Sequence, residues 1–556
     1  MPKTNEIKLD ITGMTCDSCA VHVEKALANV PGVEEVVLPS WDAGFASVVA
    51  DTGVAPATLE DAVKEAGYRA TVKPTSQASE AVPIIAKGQD ETHIHLMVIG
   101  GGSAGFAAAI KGTELGYKVA LVNAGEIGGT CVNVGCVPSK ALIRAMDQYQ
   151  KTGESLFRGV HTTKGVLNWG QVVADKDDLV AGLRQAKYRD VLAGYPNINY
   201  IKGRATLTGG NGVEINGQSY APDKIIIATG ASPWAPPIAG LAGSDYLTST
   251  TAMELNDLPR SMLVVGANAV GLEQAQIFVR AGVHVTVVEL LSRIAPFEDE
   301  AISTALQGYL EEEGLRVLPD FQTSKVEKWD GHFYLTGTQN GAEMHLDAEQ
   351  LLVAAGRRPN TSGMGLGAAG VKLGKRGEIL VDEMMQSSNP NIYAAGDVTG
   401  RDMFVYVAVY AGGMATTNAL SGAAEVYNTS YIARVTFTDP QVASAGLTEA
   451  QAVEQGYAVK TSVLPMDYVP RALAARDTRG LVKLVADSVT DKLLGGHILA
   501  PEGGEMVQLI SMALKLGLTV QDLREMIFPY LTNGEAIKLA TLAFEKDVAK
   551  LSCCAG

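Results

Sequence analysis

The chain carries the same structural unit twice. Ile94 to Ile99 is an apolar run that leads into Gly100-Gly-Gly-Ser-Ala-Gly105, a helical stretch to Leu115 and a second apolar run, Tyr117 to Val122. Met262 to Val265 leads likewise into Gly266-Ala-Asn-Ala-Val-Gly271, a helical stretch to Ala281 and the run Val283 to Val288. A short strand, a glycine turn, a helix and a second strand make the βαβ unit that holds a dinucleotide pyrophosphate at the helix N-terminus. Two copies predict two dinucleotide sites on two Rossmann-type α/β domains. Length constrains far less, since 556 residues at about 150 per domain only suggest three or four domains.

The two copies differ at informative positions. Gly100, Gly102 and Gly105 complete G-x-G-x-x-G, whereas Asn268 stands between Gly266 and Gly271. Asn tolerates left-handed backbone, so a tight turn is expected to survive there. An acidic residue about 20 positions on binds a ribose hydroxyl. Glu289 stands 18 residues past Gly271, and Asn123 stands 18 residues past Gly105. Glu289 would repel a 2′-phosphate and favours NADH over NADPH, while Arg293 close by argues the other way.

Around these units the chain divides into segments. Residues 1–72 read as βαββαβ, a ferredoxin-like order. Residues 73–93 are rich in Ala, Ser, Pro, Gln and Lys and read as a linker. Residues 94–250 and 361–430 are expected to form one nucleotide-binding domain in two pieces, with 251–360 the second such domain between them. Residues 431–556 form a last block that ends in helices and a short tail.

Six cysteines are too few for a disulfide scaffold in a chain of this length, yet all six fall in close pairs. Cys16 and Cys19 form C-x-x-C, Cys131 and Cys136 form C-x₄-C, and Cys553 and Cys554 are adjacent. The N-terminus is polar and no apolar run reaches the roughly 18–20 residues of a membrane span, so a cytoplasmic protein with no stable membrane association is expected. In a reducing compartment, close cysteine pairs point to metal binding or thiol redox chemistry. A net charge of −16 without a basic run excludes nucleic acid as a partner. The eight His are scattered without H-x₃-H spacing, and His93 and His95, in or beside the linker, are read as no metal site. Met14 is read as packing, and Glu311 to Glu313 as a solvated helix face.

Gly128-Gly-Thr-Cys-Val-Asn-Val-Gly-Cys-Val-Pro-Ser-Lys140 closely resembles the redox-active segment of the flavin disulfide reductases, such as glutathione reductase and dihydrolipoamide dehydrogenase. Ala228-Thr-Gly230 and Ala395-Gly-Asp397 resemble further FAD signatures of that family. The resemblance covers about residues 95–556. It implies two Rossmann-type domains and a C-terminal α+β dimerisation domain, added to the N-terminal ferredoxin-like domain. It implies FAD, held by Gly100, Gly102, Ser103, Ala104, Gly105, Asn123, Gly129, Thr130, Lys140, Ala228, Thr229, Gly230 and Asp397, with Asp397 on the ribityl chain. Gly266, Gly271, Glu289 and Gly356 complete the cofactor set, for NADPH or NADH. Lys140 is expected near the flavin, paired with Glu273. Cys136 corresponds to the flavin-proximal thiolate and Cys131 to the interchange thiol.

One departure bears on the substrate. Disulfide-reducing members carry a His-Pro near the C-terminus whose His protonates the leaving thiol. Here the segment is Phe528-Pro-Tyr-Leu-Thr-Asn-Gly-Glu535, and Phe528 cannot transfer a proton. A metal ion needs no such proton. Gly13-Met-Thr-Cys-Asp-Ser-Cys19 resembles the heavy-metal-associated domain of copper chaperones and metal-pumping ATPases. With the Cys553-Cys554 tail, the whole pattern is similar to the mercury(II)-reducing branch of the flavoenzyme family. That implies Hg(II) and its small-thiol complexes as substrate, ligated in turn by Cys16 and Cys19, by Cys553 and Cys554, and by Cys131 and Cys136. It implies a homodimer in which the tail of one subunit serves the active site of the other, with Tyr188 and Tyr530 near the metal. A membrane mercury transporter is a further partner expectation, through transient hand-off. Two alternatives stay open: a disulfide reductase of the dihydrolipoamide dehydrogenase or glutathione reductase type, and a metal-binding or delivery protein.

Overall fold

The structure, a computed structural model, describes residues 4–14, 17–38, 45–51, 53–72, 93–153 and 155–550. The expected linker, apart from His93, falls outside the described residues, as do Cys16, Cys553 and Cys554. Residues Met1–Ala86 and Lys87–Gly556 form two compact units.

In the first unit, β1 (Thr4–Thr12), α1 (Asp17–Ala28), β2 (Val33–Val37), β3 (Phe45–Asp51), α2 (Pro56–Glu65) and β4 (Arg69–Val72) follow the expected order. The strands form an antiparallel sheet in the order β2-β3-β1-β4, the ferredoxin-like arrangement. Burial alternates along β3, so Ala46, Val48 and Ala50 face Val23 and Leu27 of α1 and Leu59 and Val63 of α2. Pro56 opens α2 where its missing N–H costs nothing. Met14 is buried in this core, in agreement with its reading as a packing residue.

The second unit opens with β5 (Leu96–Ile99), α3 (Ser103–Glu114), β6 (Val119–Asn123), α4 (Gly129–Val134), α5 (Cys136–Gly153), α6 (Trp169–Arg184), β7 (Ile198–Lys202) and β8 (Lys224–Ile227). The nucleotide unit of the second repeat follows: β9 (Ser261–Val265), α7 (Ala269–Arg280), β10 (His284–Val288), α8 (Glu300–Glu312), β11 (Arg316–Leu318) and β12 (Gln350–Val353). The chain then returns through β13 (Ile392–Ala394) and α9 (Val405–Ser421). The first sheet is parallel in the order β13-β8-β5-β6-β7, and the second is parallel in the order β11-β10-β9-β12. All four residues of β5 are buried, as a strand covered on both faces requires. Helix α9 lies so close to α3 that a Cβ on Gly412 would stand 2.2 Å from the Ala104 carbonyl oxygen.

The last block is an antiparallel sheet of β14 (Ala433–Thr436), β15 (Gln441–Gly446), β16 (Val459–Pro465), β17 (Leu481–Asp487) and β18 (Leu493–Ala500), in the order β14-β15-β18-β17-β16. Helices α10 (Gly503–Leu516) and α11 (Glu535–Leu542) cover it, and Ile498, Ile510 and Ile537 meet in its core. Among the described residues no helix is long and apolar enough to cross a membrane.

A buried ion cluster joins these parts. The Arg280 side chain at the end of α7 is 3 % exposed and pairs with Asp147 of α5, Glu313 and Asp439. Arg479 adds pairs to Asp439 at 3.0 Å, Asp477 at 2.8 Å and Glu313 at 3.4 Å. Burial pushes the Asp147 carboxyl up, with Arg280 opposing. Burial also acts on Asp439, but Arg479 and Arg280 together hold it below the usual carboxylate range. Glu313 corrects the reading of 311–313 as a solvated face. It caps α8 at its C-terminus and turns inward, accepting from Arg280 Nε at 2.8 Å, while Glu311 and Glu312 remain exposed. Breaking a buried pair by removing one partner leaves uncompensated charge. Arg280→Met is therefore expected to destabilise the protein by about 3–5 kcal/mol, read as a lowered denaturation midpoint in urea. Arg260→Met, at a pair whose arginine side chain is 84 % exposed, should leave that midpoint in place.

Candidate active site

Both glycine turns open at the C-terminal ends of parallel strands, and both are built on the same close approach. A Cβ on Gly105 would stand 1.8 Å from the Gly100 carbonyl oxygen, and one on Gly271 would stand 1.9 Å from that of Gly266. Asn268 does not use its tolerance of left-handed backbone. It is extended at φ −101° and ψ −175°, close to Gly102 at φ −85° and ψ −172°, so the middle position asks for no unusual dihedrals in either copy. The 18-residue spacing also has a common structural meaning. Asn123 Oδ1 accepts the Gly101 N–H at 3.1 Å, and Glu289 Oε2 accepts the Ala267 N–H at 2.7 Å. Glu289 is buried and its other oxygen accepts the Leu291 N–H at 3.0 Å. Arg293 donates to the Glu298 carbonyl and to Ser303 Oγ, both at 2.7 Å, and is committed to its own loop.

Cys131 lies in α4 and Cys136 is the first residue of α5, where backbone N–H groups favour a thiolate. The Cys136 thiol is drawn down to about 7, chiefly by the hydrogen bond from Cys131, against the cost of burial and with help from Lys140. Cys131 holds the shared proton and is pushed well above the ordinary thiol range by Cys136 and by burial. One turn along α5, Lys140 Nζ donates to Glu273 Oε2 of α7 at 2.7 Å, and Ser139 Oγ donates to the same oxygen at 3.1 Å. The other oxygen, Oε1, accepts the Phe437 N–H at 2.9 Å. Lys140 Nζ also sits 4.4 Å from the centroid of the Phe437 ring.

A cavity of about 340 Å³ collects most of the residues expected to hold a flavin. Gly100, Gly102, Ser103, Ala104, Asn123, Gly129, Thr130, Lys140, Ala228, Thr229, Gly230 and Asp397 line it together with Cys131, Cys136 and Glu273. Gly105, Gly266, Gly271, Glu289 and Gly356 do not, because the glycines shape turns and Glu289 is tied to its own. Arg357, the neighbour of Gly356, does line the cavity and was missed. It donates to the Ala231 carbonyl and to Thr130 Oγ1, and its Nε is buried without a hydrogen-bond partner. Asp397 stands 3.8 Å from that Nε, its carboxyl raised by burial with Arg357 opposing. An unsatisfied guanidinium nitrogen, a glycine turn at a helix N-terminus and a carboxylate beside them fit a dinucleotide bearing both phosphates and hydroxyls. The only sign of Arg357 in the sequence is its place in Gly356-Arg-Arg-Pro-Asn360.

Tyr188 lies on a π-helical turn, Gln185–Arg189, which re-aims one side chain on an otherwise α-helical segment. Its ring meets Phe106 edge-on at 4.9 Å, and its phenol is raised by burial, with Ser103 opposing and both Cys131 and Cys136 contributing. Tyr530 is 59 % exposed and does not line the cavity, and Phe528 packs against the core of the last block. Cys19 falls within α1.

The thiol pair makes a direct expectation. In the reduced enzyme one thiol should alkylate with iodoacetamide with a midpoint near the pH of about 7 set for Cys136, the other only at much higher pH. Removing a nearby cation disfavours a thiolate, so Lys140→Met should move the midpoint up, to about pH 8.

Residues 94–412 match the pyridine nucleotide-disulphide oxidoreductase family, 432–541 its dimerisation domain and 8–69 the heavy-metal-associated domain. The chain is 43 % identical over 552 residues to a mercuric reductase of Lysinibacillus sphaericus, covering 99 % of this chain and all of that one. It is 41 % identical over 555 residues to a mercuric reductase of Staphylococcus aureus, with the same coverage. Its fold is similar to the HOCl-induced flavoprotein disulfide reductase RclA of Escherichia coli, with a TM-score of 0.72 and 28 % identity over 81 % of this chain and 99 % of that one. The chain belongs to the pyridine nucleotide-disulphide oxidoreductases, and within them to the mercuric reductase family.

Proposed function

We propose that this protein reduces Hg(II) to volatile Hg(0) with two electrons from NADH or NADPH, acting in the cytoplasm as a homodimer that detoxifies the ion. The observation that carries the reading is the Cys131–Cys136 pair beside Lys140 and Glu273, combined with Phe528 where a disulfide reductase keeps its proton donor. FAD, when bound, supplies the two-electron relay between the nicotinamide and the thiols.

The protein's own residues do the rest. Cys136 is already a thiolate near neutral pH, so Hg(II) binding needs only the Cys131 proton to leave. Lys140 offsets the charge of the pair, and Glu273 fixes Lys140 through its contacts to Ser139 and Phe437. Two soft ligands hold Hg(II) in low coordination, which leaves it reducible where a four-thiolate cage would stabilise it. In net terms NAD(P)H and Hg(II) become NAD(P)⁺, H⁺ and Hg(0), and both thiolates are regained. Cys16 and Cys19 capture the ion and Cys553 and Cys554 carry it inward, the tail of one subunit serving the other, where Tyr188 and Tyr530 act as weak oxygen contacts. Hand-off from a membrane mercury transporter would feed the first pair. Glu289 disfavours the 2′-phosphate of NADPH, and Arg293, occupied in its own loop, does not offset it.

Hg(II)-dependent loss of nicotinamide with excess thiol present, matched by Hg(0) trapped from the gas phase, tests the reading. Cys136→Ala should lower that turnover by roughly 10³-fold or more. Turnover of lipoamide or glutathione disulfide instead, without Hg(0), would replace it with the disulfide-reductase alternative. In the same assay kcat/KM should be higher with NADH than with NADPH, and the reverse order would remove the role given to Glu289. Tyr530→Phe should slow the turnover of Hg(II), and an unchanged rate would withdraw that residue.

A further inference from the structure

We propose that His93, His95 and Asp223 form a binding site for one borderline divalent cation of the Zn(II) class, separate from the thiol pairs. One ligand atom from each residue lies within 4.8 Å of those of the other two. His93 Nε2 is 3.0 Å from Asp223 Oδ2, and the two imidazoles meet edge-on with centroids 5.1 Å apart. Tetrahedral zinc with nitrogen and oxygen ligands holds those atoms about 3.4 Å from one another. Small rotations of the two more exposed side chains, His93 and Asp223, close the set.

The backbone builds this juxtaposition. His93 and His95 flank Ile94 on the segment that leads into β5, and the contact between their rings shows that both side chains reach the same side. Asp223 is brought opposite by main-chain bonds on either side: its N–H donates to the Ile94 carbonyl at 3.3 Å, and the Lys224 N–H donates to that of His95 at 3.0 Å. The Asn211 side chain fixes the Asp223 carbonyl at 3.0 Å. His95 is buried at 8 % exposure, so its ring is held in place by the surrounding chain. The Lys118 N–H donates to His95 Nδ1 at 3.4 Å, a long contact that a metal at that nitrogen would replace.

The site lies at the N-terminal ends of β5 and β8, whereas the glycine turn follows the C-terminal end of β5, about 13 Å of strand away. Imidazole and carboxylate favour Zn(II), Ni(II) or Cu(II) over Hg(II), which prefers thiolate. A cation here joins residue 93, ahead of β5, to residue 223, ahead of β8, two neighbouring strands of the parallel sheet. Its role is that of a structural staple, and it leaves the redox pair to the soft ion.

The test uses the full-length, flavin-loaded enzyme with Cys131 and Cys136 oxidised. Zn(II) binding by equilibrium dialysis should show one equivalent fewer in His93→Ala and in Asp223→Asn, or at least a tenfold weaker constant for that equivalent. His345→Ala, at the exposed pair with Glu343, should bind as the unaltered protein does. Co(II) in place of Zn(II) should show, for that equivalent alone, a spectrum without thiolate charge transfer. Zn(II) should also raise the thermal midpoint of the unaltered enzyme and not that of Asp223→Asn. Retained flavin absorbance shows that each variant is folded. Equal stoichiometry and affinity in all three variants, or cobalt bands of thiolate character for every equivalent, would overturn the proposal.

Discussion

One carboxylate ties together three parts of the chain beside the Cys131–Cys136 pair. Glu273 belongs to the second nucleotide domain, yet it takes Lys140 and Ser139 from the redox helix on one oxygen and the Phe437 N–H of the last block on the other. An apolar residue there would leave the buried Ser139 hydroxyl, the Lys140 ammonium and the Phe437 N–H without this acceptor. The same helix repeats the arrangement further along. Gln276 exchanges hydrogen bonds with the backbone of Asp439, and Arg280 reaches Asp147, Glu313 and Asp439. Residues 273, 276 and 280 share one face of α7, so a single buried polar stripe registers three parts of the chain against one another.

The internal repeat extends to the side chains. Strand, turn and helix recur, and so does the bond from the second strand back to the N–H after the first glycine, made by Asn123 in one copy and Glu289 in the other. An amide and a carboxylate serve one structural purpose there while presenting different charge to a bound ribose. Sequence spacing found both positions, because the distance between a turn and the end of the next strand is set by helix length.

The fold was readable wherever apolar runs and glycine turns set it, down to the ferredoxin-like order of the first unit and the two parallel sheets. Cys131, Cys136 and Lys140 stand in one local motif, whereas the pairing of Lys140 with Glu273, 133 residues on, came from the family resemblance alone. The features that leave no local mark in the sequence are made by distance. Arg357 reaches the cavity from a strand far along the chain, and the π turn that aims Tyr188 leaves no mark in composition. Glu313 looked like surface because three successive glutamates usually are, and only the end of α8 turns one of them inward. His93 and His95 lacked helical ligand spacing, and their third partner stands 128 residues beyond the nearer of them.

The polar stripe on α7 also orders events during synthesis. Asp147 emerges before Arg280, while Glu313, Asp439 and Arg479 emerge after it, the outermost members of the cluster standing 479 − 147 = 332 residues apart. Arg280, Asp147 and Glu313 can pair as soon as all three have left the ribosome, but the cluster lacks Asp439 and Arg479 until the last block follows. The full set of contacts around Arg280 therefore exists only once the last block is present to complete the cluster.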